Sequence, residues 1–292
     1  MKIATSAYPL DVLADWDAYA KKLTAWVAEA ARQGAELLVF PEYGAMELAS
    51  LDGPEVAAAM EPALRAVAKY LPKADVLHEH LARTHGVYIL AASAPVYDPG
   101  PRPVNQARFF GPDGWLGAQD KQIMTMVERG ESMDVHPGKP LQVFDTSLGK
   151  IGILICYDAE FPDLGRVLAE AGVEIILTPS FTEGVSGYWR VRIGAMARAL
   201  EGQCITVHSP AVGDGAGCPA FGASTGAAAI YGPPDLGFPD TGVIAEGELN
   251  RPGWIYGEIA TGSVANVRRR GRVRNFSHWS EQAQRLKGLK LS

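Results

Sequence analysis

The stretch Lys150–Asp163, with the sequence KIGILICYDAEFPD, decides the fold of this chain. It begins with an apolar run, 151–155, that is interrupted only by Gly152 and is typical of a strand buried on both faces. The run ends at Cys156, and a Phe-Pro-Asp sequence soon opens a predicted helix. Because ligands of layered α/β proteins lie at the carboxyl ends of strands, this stretch predicts an α/β fold with a cysteine at a position suited to chemistry.

The composition of the 292-residue chain is that of a globular protein, with 47% hydrophobic and 21% charged residues. A formal net charge of −6 argues against a general nucleic-acid binder, and the basic run 268–274 is interpreted as a solvated or interface face. No linker or low-complexity segment divides the chain. We therefore expect a single domain over residues 1–263, followed by a tail, 264–292, that packs on the domain or on a neighbouring subunit.

The three cysteines, Cys156, Cys204 and Cys218, match neither a disulfide framework nor a zinc-binding spacing. A free cysteine usually just packs in a core, so Cys156 alone is weak evidence for catalysis. The first residues meet proline and aspartate before any long apolar run, unlike a signal peptide, and no run has the length of a transmembrane helix. We therefore expect a cytoplasmic protein that does not contact a membrane.

Strand and helix patterns alternate steadily along the chain. Predicted strands lie at 2–8, 35–40, 87–92, 151–155, 173–178, 204–208, 221–231 and 254–259, with a hairpin formed by 105–110 and 115–120. Predicted helices lie at 16–30, 56–71, 76–84, 164–171 and 189–200. This alternation is typical of a layered α/β domain.

Polar side chains follow three of the predicted strands at the point where each strand ends. Glu42 follows the strand 35–40, and Lys121 ends the second arm of the hairpin. Each residue alone is more typical of a solvated loop, just as Cys156 alone is more typical of a core. Because strand ends can meet at one edge of a sheet, the three side chains could face one another in a crevice.

Three segments together, Phe40-Pro41-Glu42, Asp120-Lys121 and Leu154-Ile155-Cys156-Tyr157-Asp158, resemble the nitrilase or carbon-nitrogen hydrolase superfamily. Segments 198–201 and 222–224 resemble later motifs of that family, so the likeness extends over almost the whole chain. The resemblance implies a four-layer αββα sandwich with two mixed β-sheets. It also implies a homodimer or larger homo-oligomer that pairs through the helical layers, and no metal or organic cofactor.

The resemblance further implies a catalytic triad of Glu42, Lys121 and Cys156. On the family's pattern Cys156 attacks, Glu42 shuttles protons, and Lys121 stabilises the oxyanion with the backbone N–H of Tyr157. The implied reaction is hydrolysis of a small-molecule amide or carbamoyl-amide through a thioester, with release of ammonia. Nitrile hydrolysis is the alternative. A nearby ammonium should also favour the reactive thiolate of the cysteine.

Further site residues are inferred less directly. Family members often use a second glutamate beyond the lysine, for which Glu128 is the first choice and Glu131 the reserve. This chain has Glu160 where many members have arginine, so substrate analogies with other branches do not carry over. Aromatic side chains that could line the pocket, or could belong to the core, are Tyr43, Phe181, Tyr188 and Trp189.

Two other functions compete with this interpretation. The sequence GASTG at 222–226 matches a serine nucleophile elbow centred on Ser224, but the glycine and prolines at 232–234 leave no room for the helix that such an elbow requires. A binding or scaffold protein that kept the fold and lost activity is the second alternative. The presence of all three triad residues argues against it.

Overall fold

The computed structural model describes residues 1–97 and 100–286. The strands are β1 (Lys2–Pro9), β2 (Leu37–Val39), β3 (Tyr88–Leu90), β4 (Ala94–Val96), β5 (Val104–Gly111), β6 (Gly114–Asp120), β7 (Phe144–Thr146), β8 (Gly149–Ile153), β9 (Ile175–Ser180), β10 (Ile205–Val212), β11 (Ala229–Tyr231), β12 (Val243–Glu246) and β13 (Gly253–Glu258). The α-helices are α1 (Trp16–Arg32), α2 (Pro54–Ala57), α3 (Met60–His85), α4 (Pro162–Glu170), α5 (Val185–Gly202), α6 (Ser263–Arg270), α7 (Asn275–His278) and α8 (Gln282–Leu286). Short 3₁₀ helices span Gly44–Asp52, Cys156–Glu160 and Trp279–Glu281.

The strands form two mixed sheets that meet at one seam. In the first sheet β5 pairs with β3, β4 and β6, and the order continues through β2 and β1 to β13. In the second sheet the order is β7, β8, β9, β10, β11 and β12. The seam is a short parallel pairing of β1 with β10, which aligns Tyr8 with Ala211 and Pro9 with Val212.

The two sheets pack face to face and carry helices on their outer faces. Side chains from both sheets share the buried layer between them, including Ile3 and Phe109 from the first sheet and Ile153 and Leu177 from the second. A separate buried layer joins the first sheet to α1 and α3, and further layers join the second sheet to α4 and α5. The predicted four-layer αββα sandwich is confirmed.

The prediction of two helices at 56–71 and 76–84 is wrong, because α3 is continuous and contains Pro72. Proline removes one backbone hydrogen bond and normally breaks a helix. Here the buried face of α3, which includes Leu71 and Ala74 on either side of the proline, packs on the first sheet and holds both halves in line. The helix ends at Gly86, whose φ of 64° is the left-handed conformation that glycine adopts readily.

The predicted strand 221–231 is also too long. Only Ala229–Tyr231 pairs in the second sheet, since Ser224 is held in an isolated bridge with Gly213. The short strands β4, β7 and β12 were not predicted, because three or four residues carry too little alternation to identify a strand.

The start of the tail packs on the domain. Val264 of α6 is buried in the layer between the sheets, and Val267 of the same helix is also buried. Arg268, from the basic run, donates hydrogen bonds to the carbonyls of Gly202 and Val173. Residues 287–292 of the predicted tail lie outside the described residues. None of the helices in the described ranges combines the length and the apolar character needed to cross a membrane.

Helix α5 packs closely on the 3₁₀ turn that begins at Cys156. At Gly194, a Cβ atom would lie 2.7 Å from the carbonyl oxygen of Ala159 and 3.3 Å from the backbone nitrogen of Glu160. Both atoms belong to backbone, which cannot rotate away as a side chain can. The absence of a side chain at Gly194 therefore sets how closely α5 approaches this turn.

We predict that Gly194→Ala lowers the free energy of unfolding by about 1–3 kcal/mol, the usual range for overpacking a close contact. Urea unfolding of the purified protein measures the change. Gly100→Ala is the control, because a Cβ there meets open space. Equal stability of the two variants would contradict the close approach of α5 to the turn.

Candidate active site

Cys156 lies at the point where the chain leaves strand β8 of the second sheet and enters a turn. Residues 151–155, the end of strand β8 and the two residues after it, are buried, and Cys156 opens the 3₁₀ helix with a φ of 51°. A left-handed conformation is uncommon for a residue other than glycine and costs on the order of 1–3 kcal/mol. This turn directs the cysteine side chain into a cavity instead of into the sheet interior.

The buried carboxylate of Asp158 holds this turn in place. It accepts hydrogen bonds from the backbone N–H of Ile155, at 3.2 Å, and of Ile123, at 2.8 Å. It also accepts the backbone N–H of Gln122, at 3.1 Å. Asp158 therefore ties the loop after Lys121 to the turn that carries Cys156.

Glu42 lies shortly after the end of β2. Its carboxylate is buried and lines the same cavity as Cys156. Its Oε1 accepts hydrogen bonds from Lys121 Nζ, at 2.7 Å, and from Asn105 Nδ2, at 2.9 Å. Its Oε2 accepts the backbone N–H of Phe181, at 2.9 Å. The thiol of Cys156 donates a hydrogen bond to the carbonyl of Phe181, at 3.8 Å. The Glu42 carboxylate is thus held by the lysine, and its charge acts on the neighbouring thiol.

Glu128 contacts the other side of Lys121. Its Oε2 lies 2.6 Å from Lys121 Nζ and accepts the backbone N–H of Thr125, at 2.9 Å. Its Oε1 accepts the hydroxyl of Tyr43, at 2.9 Å, and the amide of Asn105, at 3.3 Å. The side chain of Lys121 is only 2% exposed and lies between two carboxylates.

Burial and mutual attraction shift the pKa of each member of this cluster. Burial alone would lower the pKa of Lys121, but Glu42 and Glu128 together raise it, so the lysine is cationic. Burial raises the pKa of Glu42, and Lys121 opposes this shift only in part. For Glu128, burial also acts to raise the pKa, but the contact with Lys121 leaves it lowered. Glu42 is therefore the carboxylate better able to accept a proton near neutral pH.

The Lys121 ammonium acts on the Cys156 thiol in the expected direction, because it lowers the pKa of this thiol, but its effect is outweighed. Burial and the charge of Glu42 raise the pKa of this thiol well above its usual value, and Lys121 only partly opposes them. The ammonium is already paired with two carboxylates, which leaves little charge to stabilise a thiolate. The resting cysteine is thus a thiol that needs a base when it reacts.

The cavity above these residues has a volume of about 510 Å³. Glu42, Lys121, Glu128 and Cys156 line its inner end. Its apolar wall is formed by Met60, Val127, Met133, Val191, Ala220 and Phe221. A site of this size suits a small molecule with a modest apolar part.

The structure places the remaining predicted site residues in two groups. Tyr157, Tyr43 and Phe181 line the cavity. Among the described residues, no acceptor takes the backbone N–H of Tyr157. Glu131 is exposed and does not line the cavity.

The prediction that Tyr188 and Trp189 could line the pocket does not hold. Tyr188 stacks on His208 of the second sheet with ring centroids 5.9 Å apart, and Trp189 is 48% exposed on the outer surface of α5. The reason is the 3.6-residue period of the helix, which turns Gly187, Arg190 and Val191 toward the cavity and Tyr188 and Trp189 away from it.

Two site residues were missed by the sequence reasoning. Asn105 hydrogen-bonds both Glu42 and Glu128. The sequence feature that could have identified it is a polar amide at the start of an inward-facing strand. The sequence shows Asp158 beside Cys156 but does not indicate its role, because its hydrogen-bond partners lie in a loop more than thirty residues earlier in the chain. Ser224, by contrast, is buried in a bridge and is followed by extended chain, not by a helix.

Comparisons with known proteins agree with this site. The family described as carbon-nitrogen hydrolase matches residues 2–269 of the chain. A probable hydrolase of Bacillus subtilis, YhcX, is 31% identical over 279 residues, which cover 94% of this chain and 53% of that protein. Omega-amidase NIT2-B of Xenopus laevis is 29% identical over 207 residues, which cover 68% of this chain and 71% of that protein.

Solved structures show the same fold. Nit3 of Saccharomyces cerevisiae, a member of branch 10 of the nitrilase superfamily, superposes with a TM-score of 0.71 at 20% identity, covering 92% of this chain and 93% of that one. The NitN amidase of Nesterenkonia sp. AN1 gives a TM-score of 0.67 at 20% identity, covering 98% and 99%. The chain belongs to the carbon-nitrogen hydrolase family. It spans about half the length of its Bacillus relative.

We predict that Asp158→Asn lowers the free energy of unfolding by about 1–3 kcal/mol, because an amide cannot accept all the backbone N–H groups that the carboxylate accepts. It should also lower kcat by misplacing Cys156. Urea unfolding and steady-state kinetics measure the two effects. Asp145→Asn, at an exposed strand position, is the control. If both variants behave like the parent enzyme, Asp158 does not hold the turn.

Proposed function

We propose that this protein hydrolyses the C–N bond of small amides, with Cys156 as nucleophile, and that it releases ammonia and a carboxylic acid. The observation that carries the proposal is that Cys156, Glu42 and Lys121 line one cavity, with Glu42 hydrogen-bonded to Lys121 and acting through its charge on the thiol. A base, a nucleophile and a fixed cation are the groups that an unreactive amide carbon requires. The family and the amidases among its relatives support the same reaction.

In the first half of the reaction, Glu42 takes the thiol proton as sulfur attacks the carbonyl carbon. Because the thiol has a raised pKa, this transfer has to accompany the attack. The negative charge that develops on the carbonyl oxygen is stabilised by the Lys121 ammonium and the backbone N–H of Tyr157. Glu42 then passes the proton to nitrogen, the C–N bond breaks, and ammonia leaves a thioester on Cys156.

In the second half, Glu42 takes a proton from water while the water oxygen attacks the thioester carbon. The same two donors stabilise the second oxyanion. The C–S bond then breaks, and the sulfur recovers the proton from Glu42. The carboxylic acid leaves, and the enzyme returns to its resting thiol. Glu42 thus acts as base and acid in each half-reaction.

In this proposal Glu128 is a positioning residue. It holds Lys121 at 2.6 Å and is itself held by Tyr43 and Thr125, so the ammonium cannot rotate away from the oxyanion. Its negative charge also raises the pKa of Glu42. Neutralising Glu128 would therefore change both the orientation of Lys121 and the base strength of Glu42.

We further propose a homodimer formed through α5. The outward face of this helix presents Trp189, Ile193 and Leu200, which are 48%, 61% and 40% exposed, as one apolar stripe. Pairing of two copies would bury it. A cytoplasmic location is supported by the three free cysteines.

We predict that Cys156→Ala lowers ammonia release from amides by at least about 10³-fold, because it removes the nucleophile. Cys204→Ala is the matched control, since Cys204 is buried beneath α4, outside the cavity. Mass spectrometry of the parent enzyme, quenched with acid during turnover of an amide, should detect the acyl group on Cys156, and Glu42→Gln should show none because it lacks the base. Ammonia release from a nitrile, measured in parallel, shows whether the enzyme hydrolyses nitriles instead. Full turnover by Cys156→Ala would falsify the mechanism.

We predict a pH profile of kcat/KM that rises as Glu42 ionises, with a midpoint above the usual glutamate value of 4.5. Activity is lost as pH falls, because a protonated Glu42 cannot accept the thiol proton. Glu128→Gln removes a charge that raises this pKa, so its acid limb should move to lower pH while kcat falls. Glu131→Gln, at an exposed position, should leave the limb in place. A shift in the opposite direction for Glu128→Gln would refute the coupling.

A further inference from the structure

The outer part of the cavity carries a charged pair that the proposed mechanism does not use. Glu160 ends the 3₁₀ helix that begins with Cys156, so a single turn separates this carboxylate from the nucleophile. Arg190 lies on α5, and its Nε is 3.5 Å from Glu160 Oε1. Both side chains line the cavity.

The two members of this pair are not equally fixed. The side chain of Glu160 is 20% exposed, whereas that of Arg190 is 60% exposed. An ion pair with one largely solvated partner at this distance contributes little, so the long arginine side chain can move into solvent at low cost. Glu160 stays where its short turn places it. Partial burial raises the pKa of Glu160, and the charge of Arg190 opposes this shift.

The side chains that line the cavity carry more negative than positive charges. Four carboxylates line it, those of Glu42, Glu128, Glu160 and Glu183, against two cations, Lys121 and Arg190. Lys121 is already shared by Glu42 and Glu128. A ligand that enters therefore meets a negative field, with Glu160 as the partly buried carboxylate nearest the nucleophile in sequence.

We propose that the cavity is selective for amides that also carry a positively charged amino group, which Glu160 binds in place of Arg190. The proposal deepens the amidase function and rests on it. An ammonium replaces the guanidinium beside Glu160 and makes a charge-assisted hydrogen bond with the carboxylate. An amide that carries a carboxylate instead faces repulsion from Glu160 and Glu183, which selects against it.

A matched series of amides tests this selectivity. Butyramide, β-alaninamide and succinamate share the same amide and two methylene groups, and they end in a methyl, an ammonium and a carboxylate. Homologues with one fewer and one more methylene cover other distances to Glu160. The expected order of kcat/KM is ammonium above methyl above carboxylate. A preference for the carboxylate series would overturn the proposal and identify Arg190 as the selective group.

Variants then locate the selectivity. Glu160→Gln keeps the size of the side chain and removes its charge, so the ratio of kcat/KM for the ammonium amide to that for the neutral amide should fall by about 10- to 100-fold, as expected for one lost charge-assisted hydrogen bond. Glu183→Gln is the matched control, because this glutamate also lines the cavity but is exposed. An equal fall in both variants would show a general field effect and overturn the role of Glu160.

Binding to Cys156→Ala separates this proposal from the amidase proposal. Calorimetry should give tighter binding of β-alaninamide than of butyramide, and Glu160→Gln in the same background should remove the difference. If the enzyme hydrolyses the neutral amides with no preference for the ammonium series, the selectivity fails and the amidase function stands. If the Cys156→Ala protein shows the binding difference but the parent enzyme hydrolyses none of the amides, the amidase function fails instead.

Discussion

The rest of the site depends on the buried ammonium of Lys121 being held between the carboxylates of Glu42 and Glu128. Removing three charges from water is costly, and the attraction among them offsets this only when every remaining lone pair is also satisfied. Asn105, Tyr43 and the backbone N–H of Phe181 provide those hydrogen bonds. Loss of one charged partner from such a cluster typically costs about 3–5 kcal/mol of stability. The groups that take part in the proposed reaction therefore also stabilise the fold.

The cluster also explains how a weakly acidic thiol can serve as a nucleophile. An ammonium with no other partner would stabilise a thiolate, but this ammonium is shared by two carboxylates, and the pKa of Cys156 is raised. The lysine therefore acts on charge that appears only during the reaction. Glu42, whose own pKa is raised by burial, is suited to take the thiol proton at that moment. Preorganised charge of this kind lowers a barrier without activating the resting enzyme.

Much of the fold could be predicted from sequence, because several of its buried strands lie within longer apolar runs of the chain. The run 151–155 and the residues after it identified both a buried strand and the turn that carries Cys156. Continuity across Pro72 could not be predicted, since it depends on the sheet beneath α3. The placement of Glu42, Lys121 and Cys156 could be inferred only because three strand ends were considered together with a family resemblance. Asn105 and Arg190 gave no such signal, because their partners are distant in sequence.

The seam between the sheets has a consequence for how the protein is made. Strand β1 is synthesised before the other strands of this domain, yet it pairs with β10 and with β13, whose last residue is Glu258. Glu42 likewise receives one of its hydrogen bonds from Phe181. Strand β1 therefore stays without two of its partners until most of the domain has been synthesised. This apolar strand has to be kept from other unfolded chains during that interval, and the active site is completed only after Phe181 has been synthesised.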